Sequence, residues 1–225
     1  MSLQQRLDAF KADFKAARPP YQDVPPEVHP IMERATAELI ASGLAAQALK
    51  AGQTAPSFVL ADAEGTTVSS AELLARGPLV LSFYRGVWCP YCNLDLQALQ
   101  EALPAIVELG AQVVAISPQN AVNSRKSMRN NALGFPILSD PGNELAARFG
   151  LRFAMPDYLV ALYKNLKNEL SEFNGDDSWT LPMPARYVIA PDGGVVYAEV
   201  NPDYTQRPDP SELLPALRAL AGARD

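Results

Sequence analysis

Apolar positions recur at helical spacing over the first fifty residues and then give way to short continuous runs. Leu3, Leu7, Phe10 and Phe14 stand three or four apart with charges between them, which predicts an amphipathic helix over residues 3–17. Residues 18–30 hold five prolines and read as a linker. A second helix is predicted from about Pro30 to Lys50, carried by Ile31, Ala35, Leu39, Ile40 and Leu44. Residues 1–50 therefore read as an N-terminal helical extension, joined to a domain spanning 51–225. Such an arm suits either a cover over its own core or a contact within a homodimer.

From Gly52 the period changes. Ser57–Leu60 and Thr66–Val68 flank a polar stretch ending at Gly65, the pattern of a hairpin. Ser70 to Arg76 reads as a short helix with a serine cap. Pro78–Tyr84 is a near-continuous apolar run of strand length, suited to a central strand covered on both faces. A turn, Arg85–Trp88, leads into Cys89 and Cys92 and a helix through Leu94, Leu96, Leu99, Leu103 and Ile106. Gln112–Ser117 reads as a second buried strand. Helices near 120–132 and 142–149 flank a short strand at Phe135–Leu138. A helix from 156 to about Leu170 and a polar loop at 174–178 follow. Arg186–Ala190 and Val195–Val200 alternate as paired strands about Asp192–Gly193–Gly194, and Ser211 caps a last helix, Glu212 to Ala221. Strand–helix–strand units followed by a hairpin and a helix predict an α/β sandwich with a mixed sheet.

With 225 residues, 48% of them apolar and 20% charged, the chain has ample core material for a globular domain. Its net charge of −6 argues against nucleic acid and anionic membrane surfaces as partners. No stretch approaches the roughly 18 apolar residues that span a bilayer. Residues 1–10 lack the apolar core of a signal peptide, so a cytoplasmic location is expected.

The two cysteines sit three apart. Two thiols cannot complete a four-ligand zinc site, and the lone His29 lies in the Pro-rich linker, so no metal is expected. A Cys89–Cys92 bridge closes a tiny loop and contributes little by chain entropy. Chemistry, not stability, is the reason for such a pair. A strand–turn–helix path delivers Cys89 to the first turn of a helix. There the free N–H groups and the helix dipole favour thiolate, and Arg85 adds to this if turned inward. Cys92 lies one turn on and on the same face, within reach of an intrachain disulfide. Cys89 is the candidate attacking sulfur and Cys92 the resolving thiol. Trp88 reads as an apolar shield, Tyr84 and Tyr91 bracket the pair, and Asp176 and Asp177 read as turn formers.

Phe83–Tyr84–Arg85–Gly86–Val87–Trp88–Cys89–Pro90–Tyr91–Cys92 resembles the active-site segment of the thioredoxin fold, with the tetrapeptide in its glutaredoxin form. Gly52–Leu60, Gly65, Leu79–Tyr84, Ala115–Ser117 and Phe135–Asp140 together resemble the peroxiredoxin (alkyl hydroperoxide reductase and thiol-specific antioxidant) family over residues 52–222. The pattern is most similar to the subgroup that keeps a WCxxC motif. This resemblance implies a thioredoxin fold, a three-layer α/β/α sandwich on a mixed central sheet. It also implies peroxide or disulfide substrates, no bound cofactor, and reduction by thioredoxin or a similar dithiol. Family members carry Pro and Thr or Ser seven and three residues before the attacking cysteine; here Ser82 and Gly86 stand there. Where the family places a late arginine, this chain has Pro184, with Arg186 two residues on. Pro184 resembles the cis-proline that faces the cysteine pair in thioredoxins. Arg85, Trp88 and Pro184 are thus the expected substrate-binding residues.

The favoured expectation is a hydroperoxide reductase in which Cys89 is oxidised and Cys92 resolves it to a disulfide. A dithiol–disulfide oxidoreductase acting on protein or glutathione disulfides is the alternative. A non-enzymatic redox-sensing module is the third reading, since fold alone does not choose among them.

Overall fold

The computed structural model describes residues 1–222. Its helices are α1 (Leu3–Lys15), α2 (Val28–Ala41), α3 (Ser70–Leu74), α4 (Pro90–Glu108), α5 (Ala121–Asn130), α6 (Glu144–Arg148), α7 (Asp157–Asn165), α8 (Leu170–Asn174) and α9 (Leu214–Gly222). Its strands are β1 (Val59–Asp62), β2 (Thr67–Ser69), β3 (Leu79–Phe83), β4 (Gln112–Ser117), β5 (Ile137–Ser139), β6 (Arg152–Ala154), β7 (Thr180–Pro182), β8 (Ala185–Ile189) and β9 (Val195–Val200). Seven strands form a mixed sheet in the order β2-β1-β5-β4-β3-β8-β9, and β6 pairs with β7 apart from it. β3, β4 and β5 run parallel, while β8 lies antiparallel to β3.

Successive side chains of the central strands point to opposite faces, and both faces are covered. Val80, Tyr84, Val113, Ala115 and Val188 pack with α1, α4 and α9. Leu79, Leu81, Phe83, Val114, Ile116 and Tyr187 pack with α3, α6 and the 3-10 turn Leu44–Gln47. This is the expected α/β/α sandwich. It explains why β3 is apolar throughout, with every residue buried.

The N-terminal helices lie on the rest of their own chain. Leu3 and Leu7 of α1 are buried against α4. α2 faces α7, where Val28 joins Met155, Leu159, Leu162 and Tyr163 in a third apolar cluster.

Several boundaries differ from expectation. The second helix starts at Val28, inside the Pro-rich stretch, and stops at Ala41 because Gly43 turns left-handed at φ 69°. The helix expected over 156–170 ends at Asn165, and Lys167 at φ 57° separates it from α8. β6 and β7 were not anticipated; at three residues each they carry no periodicity. The last helix starts at Leu214, after a 3-10 turn, Pro210–Leu213, that Asp209 rather than Ser211 caps by accepting the Ser211 N–H. The Ser70 hydroxyl accepts the Phe58 N–H and so ties α3 to the hairpin instead of capping it.

If α1 belongs to the cooperative unit, Leu7→Ala should lower the unfolding free energy by about 2–5 kcal/mol, the cost of a fully buried leucine. Urea denaturation measures this. A change within about 0.5 kcal/mol, as for a surface site, would place α1 outside the folded core.

Candidate active site

β3 ends at Phe83, and Tyr84 extends its pairing by donating its N–H to the Ile116 carbonyl at 3.0 Å. The next four residues form a loop held from both sides. The Val87 N–H donates to Gln119 Oε1 at 2.9 Å, and the Val87 carbonyl accepts Asn93 Nδ2 at 2.9 Å. Gln119 is itself fixed by donating to Tyr84 Oη at 2.6 Å. The Cys89 N–H donates to the Gly86 carbonyl at 3.1 Å, closing a turn. Cys89 is therefore the residue that caps α4, one position before the expected first turn, and Pro90 opens the helix without wasting an N–H.

Both cysteines are free thiols and buried, Cys89 at 1% exposure. Burial pushes the Cys89 thiol up, but its neighbours outweigh this. The Cys92 thiol and backbone N–H turn towards its sulfur, and the Arg85 and Arg207 guanidiniums add positive charge. Together they bring Cys89 down to about 6. Cys92 moves the other way: burial, the hydrogen bond to Cys89 and the negative charge on Cys89 hold it well above an ordinary thiol, with Arg207 and Arg85 opposing. The surroundings thus favour a thiolate at Cys89 and a thiol at Cys92.

Arg85 is buried at 3% exposure, turned inward rather than solvated. Its Nη2 donates to Tyr163 Oη at 2.7 Å, and its guanidinium lies 4.0 Å from the Tyr204 ring centre and 4.9 Å from that of Trp88. Burial opposes its charge, yet Tyr163, Cys89 and Tyr204 more than restore it, so it stays protonated. Arg207 Nη2 reaches Cys92 Sγ at 3.9 Å. Its Nε lies 3.6 Å from Asp95, whose other oxygen accepts Arg186 Nη2 at 2.5 Å.

Cys89 opens on a cavity of ≈ 360 Å³. The arm and linker supply Phe10, Phe14, Tyr21 and Val24 to its wall, facing Trp88 and Tyr204. Arg85 also borders a neighbouring cavity of ≈ 400 Å³, where Pro184 sits with Thr36, Leu39 and Phe153. The structure thus gathers Cys89, Cys92, Arg85 and Trp88, whereas Pro184 lines the second chamber only. The single cis bond among the described residues joins Pro19 to Pro20, so Met183–Pro184 is trans. The chain runs extended there, with Met183 N–H on the Leu151 carbonyl, and passes directly from β7 into β8.

Arg186 pairs with Asp95 instead of lining the cysteine cavity. Asp176 accepts the Ser178 N–H at 2.9 Å, a turn role. Sequence reasoning missed Asp95, Gln119, Tyr163, Tyr204 and Arg207. Asp95 carried a usable signal: it lies three residues after Cys92 and four before Leu99, on the face of α4 that had to be buried, so it demanded a cation. Gln119 lies just past the C-terminal end of a parallel strand, the edge where sites of α/β sheets gather. Arg207 follows the last strand in an irregular loop and carried none.

A model of the AhpC/TSA family matches residues 51–198. Among curated proteins, Peroxiredoxin Q, chloroplastic, from Oryza sativa subsp. japonica is 31% identical over 100 residues, 44% of this chain and 46% of that protein. Thiol-disulfide oxidoreductase ResA from Bacillus anthracis is 27% identical over 113 residues, 50% of this chain and 64% of that one. The chain thus spans about half the length of the peroxiredoxin relatives it matches. Among solved structures, Peroxidoxin BcpB from Mycobacterium tuberculosis superposes with a TM-score of 0.60 at 24% identity, covering 76% of this chain and 98% of that one. That likeness places the fold.

The Cys89 electrostatics are measurable directly. Alkylation of Cys89 by iodoacetamide should rise with pH through a midpoint near 6. Arg85→Gln removes a cation that favours the anion, so the midpoint should move upward and the rate at pH 6 should fall. An unmoved midpoint would show that Arg85 does not set the thiolate.

Proposed function

The chain belongs to the AhpC/TSA family, and on that premise we propose that it is a thiol-dependent peroxide reductase. The observation that carries this reading is the buried Cys89 thiolate beside Arg85, facing a cavity sized for a small molecule. The Cys89 thiolate attacks a hydroperoxide and becomes a sulfenic acid. Cys92, kept as a thiol by its surroundings, then condenses with it, giving the Cys89–Cys92 disulfide and water. Two thiols of an external dithiol donor of the thioredoxin type restore the pair. In the closed arrangement both sulfurs are buried, so a protein donor reaches them once the aromatic cover parts.

Arg85 is the substrate-binding cation, and Pro184 shapes the adjoining chamber through which a larger peroxide would extend. The reducing cytoplasm suits such a recycled pair, and among the described residues no helix is long and apolar enough to cross a membrane.

Similarity to ResA favours a second reading, dithiol–disulfide exchange with other proteins. Cys92→Ser separates the two. With peroxide added at micromolar levels, the peroxidase reading expects a stable sulfenic acid on Cys89, detected by dimedone adduct and intact mass. Wild-type enzyme with a dithiol donor should also consume peroxide over many turnovers. Trapped protein partners without any sulfenic acid would hand the function to the second reading. A disulfide that forms once and is not recycled would mark a redox-sensing module.

A further inference from the structure

Two buried N–H donors next to Cys89 have no hydrogen-bond partner: Arg85 Nε and the Trp88 indole Nε1. Several neighbouring donors are already engaged. The Val87 N–H is taken by Gln119, the Cys89 N–H by Gly86, Arg85 Nη2 by Tyr163, and the Tyr204 hydroxyl by Met32 Sδ at 3.8 Å. Unpartnered buried donors are rare in folded proteins and destabilising, so a pair of them beside a reactive sulfur points to an acceptor that comes and goes.

The indole position is built into the loop. Gly86, at φ 153°, lies three residues before Cys89, and a Cβ there would fall 2.5 Å from Trp88 Nε1. Any side chain at residue 86 would therefore displace the indole. The ring is further held edge-on to Tyr163 at 5.5 Å and beside the Arg85 guanidinium. Both Trp88 and Arg85 border the cavity onto which Cys89 opens.

Building on the peroxide-reductase reading, we propose that the Trp88 indole N–H acts with Arg85 Nε–H as a catalytic hydrogen-bond donor that holds the peroxide oxygens while Cys89 attacks. The sulfur's electron pair forms an S–O bond to the terminal oxygen as the O–O bond breaks. The O–O bonding pair leaves on the other oxygen, which takes a proton from water and releases hydroxide, and Cys89 keeps the hydroxyl as a sulfenic acid. Negative charge moves from sulfur to the departing oxygen, so fixed donors beside the sulfur act where charge develops. Trp88 is thus more than the apolar shield read from the sequence.

The test compares two reactions of Cys89 in the Cys92→Ser background: oxidation by hydrogen peroxide, and alkylation by iodoacetamide, which has no O–O bond to hold. Trp88→Phe keeps a ring and removes the N–H. It should slow oxidation about 10- to 100-fold, at or below the usual loss of one such donor, while alkylation stays within about twofold. Replacing Trp88 by β-(3-benzothienyl)alanine, which keeps the bicyclic shape with sulfur for N–H, should do the same if phenylalanine disturbs folding. Equal losses in both reactions, or no loss in either, overturn the role of the indole N–H and leave the peroxidase reading standing. A parent protein that alkylates readily yet is not oxidised by peroxide overturns the peroxidase reading itself, and this proposal with it.

Discussion

Arg85 brings a full positive charge into the interior and makes no ion pair with a carboxylate among the described residues. A buried charge without a counter-ion is strongly disfavoured, and two aromatic faces and one tyrosine hydroxyl compensate only in part. The remaining partner is the Cys89 thiolate. Each group makes the other's ionised form tenable in a place where neither would be stable alone. The rest of the site follows from this constraint. The β3-to-α4 loop has to fix both residues at once, which is why Gln119 and Asn93 clamp Val87 between them.

The arm bears on the same electrostatics. Phe10 meets Tyr91 edge-on at 4.8 Å and Tyr21 at 5.5 Å, so aromatic edges and faces wall the cysteine cavity. Excluding water there strengthens the attraction between Arg85 and the thiolate. It also raises the cost of any interior polar group left unpaired. Leu3 and Leu7 anchor the arm to α4, the helix that Cys89 caps, so the cover and the nucleophile share one support.

Much of this was legible in the sequence wherever one residue type forces one environment. The apolar run through Leu79–Phe83 suits a central strand, and the CxxC after it suits a helix start; both stand so in the structure. The family resemblance over most of the chain implied the mixed sheet that the structure has. What stayed hidden depends on contacts between distant segments. Nothing local marks Phe10, Phe14 or Tyr21 as walls of a cavity seventy residues away, because helical spacing is equally satisfied by plain core packing. Pro184 was ambiguous for a related reason: proline at a strand boundary fits an extended trans path as well as a cis turn, and only the backbone path shows it trans.

The two sulfurs are three residues apart in one helix start, yet their environments differ, and the hydrogen bond between them divides their roles. Each cysteine has a guanidinium nearby, Arg85 for Cys89 and Arg207 for Cys92. Arg207 also faces Asp95, which it shares with Arg186. Both guanidiniums favour the anion at either sulfur, so they do not by themselves choose between the two. The hydrogen bond does: Cys92 gives its thiol and its backbone N–H to Cys89, which draws the negative charge to the sulfur that faces the cavity. That charge, together with burial, keeps Cys92 in the thiol form that a later condensation requires.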